Sequence, residues 1–202
     1  MERLQANDTR SADWILDQFA HWDDIEVHYR NHVIRSGGHG FSGLGRQRLL
    51  HLLQKRALEL GVKLHFEHEI HNLDQFKDAD LIVACDGINS WIRDEHAEHF
   101  QPDIDVRSNR FVWLGTNKVF EAFTFIFEPT EHGWIWAHAY RFDKDTSTFI
   151  IECTEETLKG LGFDQMSQEE SIAVCENIFS KYLDGHRLMS NCLLYTSPSP
   201  RD

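Results

Sequence analysis

Apolar residues recur along this chain with two different periods, and the change comes near residue 102. Before it, Leu49, Leu50, Leu53, Ala57 and Leu60 fall on one side of a 3.6-residue repeat. This predicts an amphipathic helix over 46–60, closed by Gly61. Val62, Leu64 and Phe66 then alternate with Lys63 and His65, the period of a half-buried strand. Leu81, Ile82, Val83 and Ala84 are continuously apolar and read as a strand buried on both faces. That run meets Asp86-Gly87, a strong turn pair, and a helix is predicted to open on Ser90. Nearer the start, a helix over 11–20 would be capped by Ser11, and 25–34 reads as two short strands joined at Arg30-Asn31.

Beyond residue 102 the stretches 110–115, 122–127, 134–140 and 146–153 are rich in Phe, Trp, Thr and Ile. Turn signals at Pro129, His132-Gly133 and Asp143-Lys144-Asp145 separate them. The pattern predicts an antiparallel sheet of about four strands. Ser167 and Glu170 form a capping box that opens a helix running to Leu183, closed by Asp184-Gly185.

Composition narrows the function classes. The chain has 202 residues and a formal net charge of −13. This is enough for one globular domain, or a domain and part of another. The acidic balance argues against nucleic-acid binding, which needs a basic surface for phosphates. No apolar run reaches membrane-spanning length, and the first residues lack a signal-peptide core. Cys85, Cys153, Cys175 and Cys192 lie far apart, without the paired spacing of a zinc site or a disulfide framework. A reducing, cytoplasmic setting is expected. His65, His68, His71, His96 and His99 lack the spacing of a helical zinc motif and are expected to be solvated, so no metal site is expected.

The last residues, from Cys192 to Asp202, do not continue the pattern before them. They back-translate codon for codon into a string resembling a transposase-type sequencing-library adapter. The natural sequence is therefore expected to stop near Asn191, and Met1 to be an internal or chance methionine.

Three features carry candidate chemistry. Gly38-His39-Gly40-Phe41-Ser42-Gly43 is a literal Gly-x-Gly-x-x-Gly. The dinucleotide-binding version needs a buried strand before it and a helix that begins at the third glycine. Here the preceding residues Tyr29-Arg30-Asn31-His32 are polar and the helix is expected only from Arg46, so a loop reading is preferred. Arg46 stands at a helix start, where a cation conflicts with the helix dipole unless an anion binds nearby. Asp86-Gly87 would present a carboxylate and open backbone N–H groups at the mouth of a helix. Cys85, just before it, is expected to be core. Trp113, Trp134 and Trp136 read as sheet core, with a substrate platform as the alternative for the strand 134–140.

Arg46-x-x-Leu49, followed by Asp80, Asp86-Gly87, Ser90 and Arg93 at their spacing, resembles two signatures of the FAD-dependent aromatic hydroxylases of the para-hydroxybenzoate hydroxylase type. Four segments carry a closer likeness, to the salicylyl-CoA 5-hydroxylase and 2-aminobenzoyl-CoA monooxygenase branch. They are 21–28, 35–41, 100–106 and 138–143.

The resemblance implies an α/β fold with α+β character: a truncated Rossmann-like FAD-binding domain with an inserted antiparallel substrate-domain sheet. The expected division is 1–101 as partial FAD domain, 102–165 as substrate sheet, 166–191 as a helix leading back, and 192–202 as artefact. Arg46 would contact the cofactor's phosphates, and Asp86 and Gly87 would touch FAD. NAD(P)H would reduce the flavin, and one atom of dioxygen would go to the ring of an aromatic acyl-CoA.

The family's opening glycine-rich unit and its later Gly-Asp motif have no counterpart in this sequence. The piece is therefore expected neither to hold FAD tightly nor to turn over. Two alternatives stand beside this reading: an NAD-binding oxidoreductase using Gly38 to Gly43, and a non-catalytic nucleotide-binding module.

Overall fold

The computed structural model describes residues 1–106 and 108–190. Two short helices, α1 (Glu2–Asn7) and α2 (Thr9–Leu16), open the chain. The helix expected over 11–20 thus starts earlier, with Asp8 at its N-cap. Ser11 lies inside α2, buried, and its hydroxyl donates to Asp8 Oδ2 at 2.6 Å. Asp8 also takes Arg56 Nε at 2.9 Å, which ties the helix start to a distant helix. These contacts hold the Asp8 carboxyl down at about 2, with the Arg56 hydrogen bond the largest cause.

Strands β1 (Ala20–Trp22), β2 (Ile25–Tyr29), β3 (His32–Ser36) and β4 (Phe41–Gly43) follow. β2 and β3 are the hairpin expected at Arg30-Asn31, and both turn residues have positive φ, 47° and 66°. Two left-handed residues match the twist of a two-residue hairpin, which explains the tight connection. β1 pairs with β4 as a separate antiparallel ribbon.

Helix α3 (Arg46–Glu59) forms as expected, but its buried side differs. Leu52 is its buried residue, Leu49 and Ala57 of the expected face are half-buried, and Leu50, Leu53 and Leu60 are exposed. The helix is apolar on more than one face, and only the face toward α2 has found a neighbour.

The expected strands at 62–66 and 81–84 do not form: neither stretch joins a ladder among the described residues. Leu81 and Val83 are 78% and 72% exposed. A strand of this composition needs partners on both edges and cover on both faces, and no described segment supplies them. Cys85, expected in the core, is consequently exposed. Two short helices follow, α4 (Trp91–Glu95) and α5 (Ala97–Phe100).

The four strands expected beyond residue 102 all form: β5 (Arg110–Thr116), β6 (Phe123–Thr130), β7 (Gly133–Arg141) and β8 (Ser147–Cys153). Three helices come next, α6 (Glu155–Gly160), α7 (Gln168–Ile178) and α8 (Ser180–Leu183), then a short strand, β9 (Leu188–Met189). The capping box is present at α7: Glu170 N–H donates to Ser167 Oγ at 3.2 Å, and Ser167 N–H donates to Glu170 Oε2 at 2.8 Å.

The sheet is larger than four strands. Its order is β3-β2-β6-β7-β8-β5-β9. The early hairpin joins it through β2, which runs parallel to β6; the other pairs in this sheet are antiparallel. One face carries Leu114, Ile126, Ile135, Ala137, Ala139, Phe149 and Ile151, and packs against Cys175, Phe179 and Leu183 of α7 and α8 and the linker between them. Phe149 and Phe179 meet edge to face at 5.4 Å. Burying each such side chain contributes about 1.5–3 kcal/mol. No helix among the described residues is long and apolar enough to cross a membrane.

The glycine-rich stretch has a structural account. The strand entering Gly38 belongs to an antiparallel hairpin, residues 41–43 are themselves a strand, and the next helix starts at Arg46. This overturns the alternative of an NAD-binding fingerprint at Gly38 to Gly43, which needs a parallel strand running straight into a helix. Nor is the stretch simply an open loop. A Cβ on Gly43 would lie 2.7 Å from the carbonyl oxygen of Arg141, and one on Gly37 would lie 2.8 Å from Asp24 Oδ1. These two glycines permit close approaches within the chain itself.

Candidate functional site

The Asp86-Gly87 turn is built by its own neighbours. Gly87 has φ +87°, a left-handed conformation that glycine adopts without strain. Ser90 is the buried N-cap of α4; its hydroxyl accepts the Arg93 N–H at 3.1 Å and donates to Asp86 Oδ1 at 2.8 Å. Arg93 Nη1 donates to the Ile88 carbonyl at 2.6 Å and closes the loop from the other side. One cap residue therefore both starts the helix and aims the carboxylate. The Asp86 side stays exposed, next to a groove of about 450 Å³ whose lining includes Ile82, Ala84, Ile92 and Phe100.

Arg46 is exposed at the first position of α3. The helix is capped by Gly45, which brings no side-chain hydrogen bond, and its first turn has no acidic residue. A second cation in that turn, Arg48, donates to Gln18 Oε1 at 3.0 Å. A helix start bearing positive charge suits a phosphate. α3 packs principally on α2, and Asp86-Gly87 leads into α4, so the two candidates sit on separate elements.

A nucleotide cofactor would meet compatible chemistry at these residues. They offer an anion-favouring helix start, a pre-aimed carboxylate for hydroxyl groups, and a glycine whose backbone a ligand can approach.

A third surface was under-read in the sequence. On the side of the sheet away from the helices, the pairings bring Phe123 opposite Tyr140, Phe125 opposite His138 and Phe127 opposite Trp136. Tyr29 stacks on Trp134 with ring centres 5.4 Å apart. At one end Trp22 of β1 stacks on both Phe41 and Tyr140, at 5.9 and 5.6 Å. Trp134, Trp136 and Trp113 therefore belong to this aromatic face and not to the helix-covered core. Trp113 anchors there by donating its indole N–H to Thr148 Oγ1.

Within that face lie two ionisable side chains, His138 and Glu152, with Nδ1 and Oε1 3.9 Å apart. Burial lowers the His138 pKa, against the opposing pull of the Glu152 charge. A histidine in phase with Trp134, Trp136 and Tyr140 on one strand was the signal in the sequence for it.

The helical side holds a different cavity, of about 240 Å³, among Leu114, Ile135, Ile151, Leu158 and Ile172. Its two thiols, Cys153 and Cys175, are both pushed up by burial, Cys175 to about 12, and stay protonated. Histidines 65, 68, 71, 96 and 99 are exposed. Among the described residues no cluster of three or more metal-ligating side chains occurs.

No family model matches the chain. Comparison with known proteins does find relatives. The chain is 35% identical over 199 residues, 95% of its length, to salicyloyl-CoA 5-hydroxylase from a Streptomyces species. It is 31% identical over 166 residues to protodeoxyviolaceinate monooxygenase of Chromobacterium violaceum, which covers 81% of the chain. PqsL of Pseudomonas aeruginosa, described as a probable FAD-dependent monooxygenase, shares the fold over 79% of this chain and 50% of its own, with TM-score 0.55 and 14% identity.

The chain belongs to the FAD-dependent aromatic hydroxylases.

It spans 38% and 44% of the two relatives' own lengths.

Proposed function

We propose that this chain is part of an FAD-dependent monooxygenase that hydroxylates the ring of an aromatic acyl-CoA, of the salicyloyl or 2-aminobenzoyl kind. NAD(P)H is the electron donor and dioxygen the co-substrate. The observation that carries this reading is the aromatic sheet face in a chain 35% identical to a salicyloyl-CoA 5-hydroxylase. The solved complex of PqsL with 2-aminobenzoylacetate supports an ortho-substituted benzoyl ligand on this fold.

In this reading Arg46 meets the phosphates of FAD, and Asp86 and Gly87 meet its sugar-like portion. The sheet of β5 to β8 covers the substrate ring, and its other face rests on α6 to α8. Bound flavin supplies the oxygen-transfer chemistry. The protein's part is to hold the ring flat, keep water away and manage protons.

Titration of FAD against the chain, followed by flavin fluorescence, tests the cofactor half. Binding is expected to be weak, and Arg46→Ala to weaken it further by about tenfold, the loss of one charge-assisted phosphate contact. Unchanged affinity in Arg46→Ala removes that residue from the site. Calorimetric titration with salicyloyl-CoA, 2-aminobenzoyl-CoA and free CoA tests the substrate half. Equal binding of all three would show that the ring is not recognised.

A further inference from the structure

His138 and Glu152 occupy positions where every argument from packing favours apolar side chains. They face the same way as Phe123, Phe125, Phe127, Trp136 and Tyr140, on the two central strands β7 and β8. From β6 the His138 ring meets Phe125, directly opposite, at 6.0 Å and Phe123 at 6.1 Å. From β8 it has Ile150 opposite and Glu152 one step along. Among the described residues, Glu152 is the charge that acts on the ring. The side chains keep 20% and 28% of their exposure, so both are largely withdrawn from water yet reachable from the open face. Placing an imidazole and a carboxylate there costs desolvation energy that an apolar pair avoids.

The approach is through Nδ1, at 3.9 Å. That is too long for a hydrogen bond but close enough for the carboxylate to favour the proton on Nδ1. Nε2 is then left with its lone pair. Burial favours the neutral imidazole, so near neutral pH that nitrogen is a base and not an acid.

We infer that His138, positioned by Glu152, accepts the proton of an acidic hydroxyl on the aromatic ring bound to this face, which selects a phenol over an aniline. The inference rests on the reading of the aromatic face as the ring-binding surface. In the step, the phenol O–H bond breaks and its electron pair stays on oxygen. The proton forms a new N–H bond at Nε2, and the resulting imidazolium lies beside the Glu152 carboxylate. A phenolate pushes electron density into its ring, which an oxygen-transfer reaction on that ring needs. An aniline N–H is too weak an acid to use the same base.

The test is a spectrophotometric pH titration of 4-nitrophenol bound to the full chain, with 4-nitroaniline as the probe that lacks an acidic hydroxyl. Wild type should bind both probes and ionise bound 4-nitrophenol about one pH unit below the free phenol, a tenfold change in its acid constant. His138→Gln should keep binding of both within about twofold and lose the shift. Glu152→Gln, which leaves the imidazole in place, should reduce the shift. The NMR signal of the His138 ring should move toward the protonated form when 4-nitrophenol binds and not when 4-nitroaniline does. A shift that persists in His138→Gln, or binding without any shift in wild type, overturns the inference while leaving the ring-binding surface standing. Failure of either probe to bind any form of the chain overturns both.

Discussion

Strand β8 and the stretch 81–84 are comparably apolar, and they end in opposite situations. In β8, Phe149 and Ile151 are 0% and 3% exposed, under α7 and α8 and between β7 and β5. In 81–84, Leu81 and Val83 lie open and no ladder forms among the described residues. The difference is not local propensity, since Val and Ile suit a strand in both places. It is whether the chain brings up neighbours. β8 takes its partners, β7 and β5, from the chain that precedes it, while 81–84 has a turn and a short helix after it and no strand beside it among the described residues. Apolar pattern states what a segment can become; burial depends on what lies against it.

The sharpest way to break this comparison is to truncate one side chain in each place. Phe149→Ala should cost about 3–5 kcal/mol in urea unfolding, because it empties a fully covered core position. Val83→Ala should stay within about 0.5 kcal/mol, as surface substitutions do. Equal losses would mean that 81–84 is buried in solution and that the contrast is false.

A smaller effect is expected where the β1–β4 ribbon meets the sheet. Gly43→Ala forces a methyl to 2.7 Å from the Arg141 carbonyl and to 3.1 Å from the Trp22 ring. A loss of about 1–3 kcal/mol should follow, since backbone has little room to give. Trp22 stacks on Tyr140, so tryptophan fluorescence should change as well. Stability and fluorescence both unchanged would mean that the ribbon is not docked as described.

The smallest effect belongs to the half-buried pairing of Asp8 with Arg56. The Asp8 carboxyl is held down at about 2, below its value in an unfolded chain. Its contribution to stability is therefore complete above the unfolded carboxylate range and is lost as pH falls through the folded value. Asp8→Asn should shrink the difference in unfolding midpoint between pH 5 and pH 2.5. An unaltered difference would show that the α2–α3 contact carries none of the acid sensitivity.

Some of this protein was legible without any tertiary information. The capping box at Ser167, the hairpin at Arg30-Asn31 and the helix opening at Ser90 depend on contacts within a few residues, and the four strands after residue 102 were marked by their apolar pattern and turn signals. Their side chains and turn conformations select them locally. The Asp86-Gly87 turn was legible for the same reason, although the hydroxyl of Ser90 that aims Asp86 was read only as a cap. Other features required the fold. Helix α3 was expected to bury Leu49, Leu50, Leu53, Ala57 and Leu60; Leu49 and Ala57 are half-buried, Leu50, Leu53 and Leu60 are exposed, and Leu52 is buried instead, because which face is covered depends on the neighbour and not on the helix. The sheet has seven strands instead of four because β2 reaches β6 across nearly a hundred residues, a pairing no local pattern records.

The sequence by itself thus determined several turns and caps, since those are fixed by backbone sterics and short-range hydrogen bonds, and it marked the segments able to become strands. It also carried the family likeness in Arg46 and in Asp86-Gly87. Only the tertiary structure decided that alternate residues of β6 and β7 make one aromatic face, and that His138 sits in it beside Glu152. Strand register sets both, because a shift of one residue would turn the same side chains toward the helices.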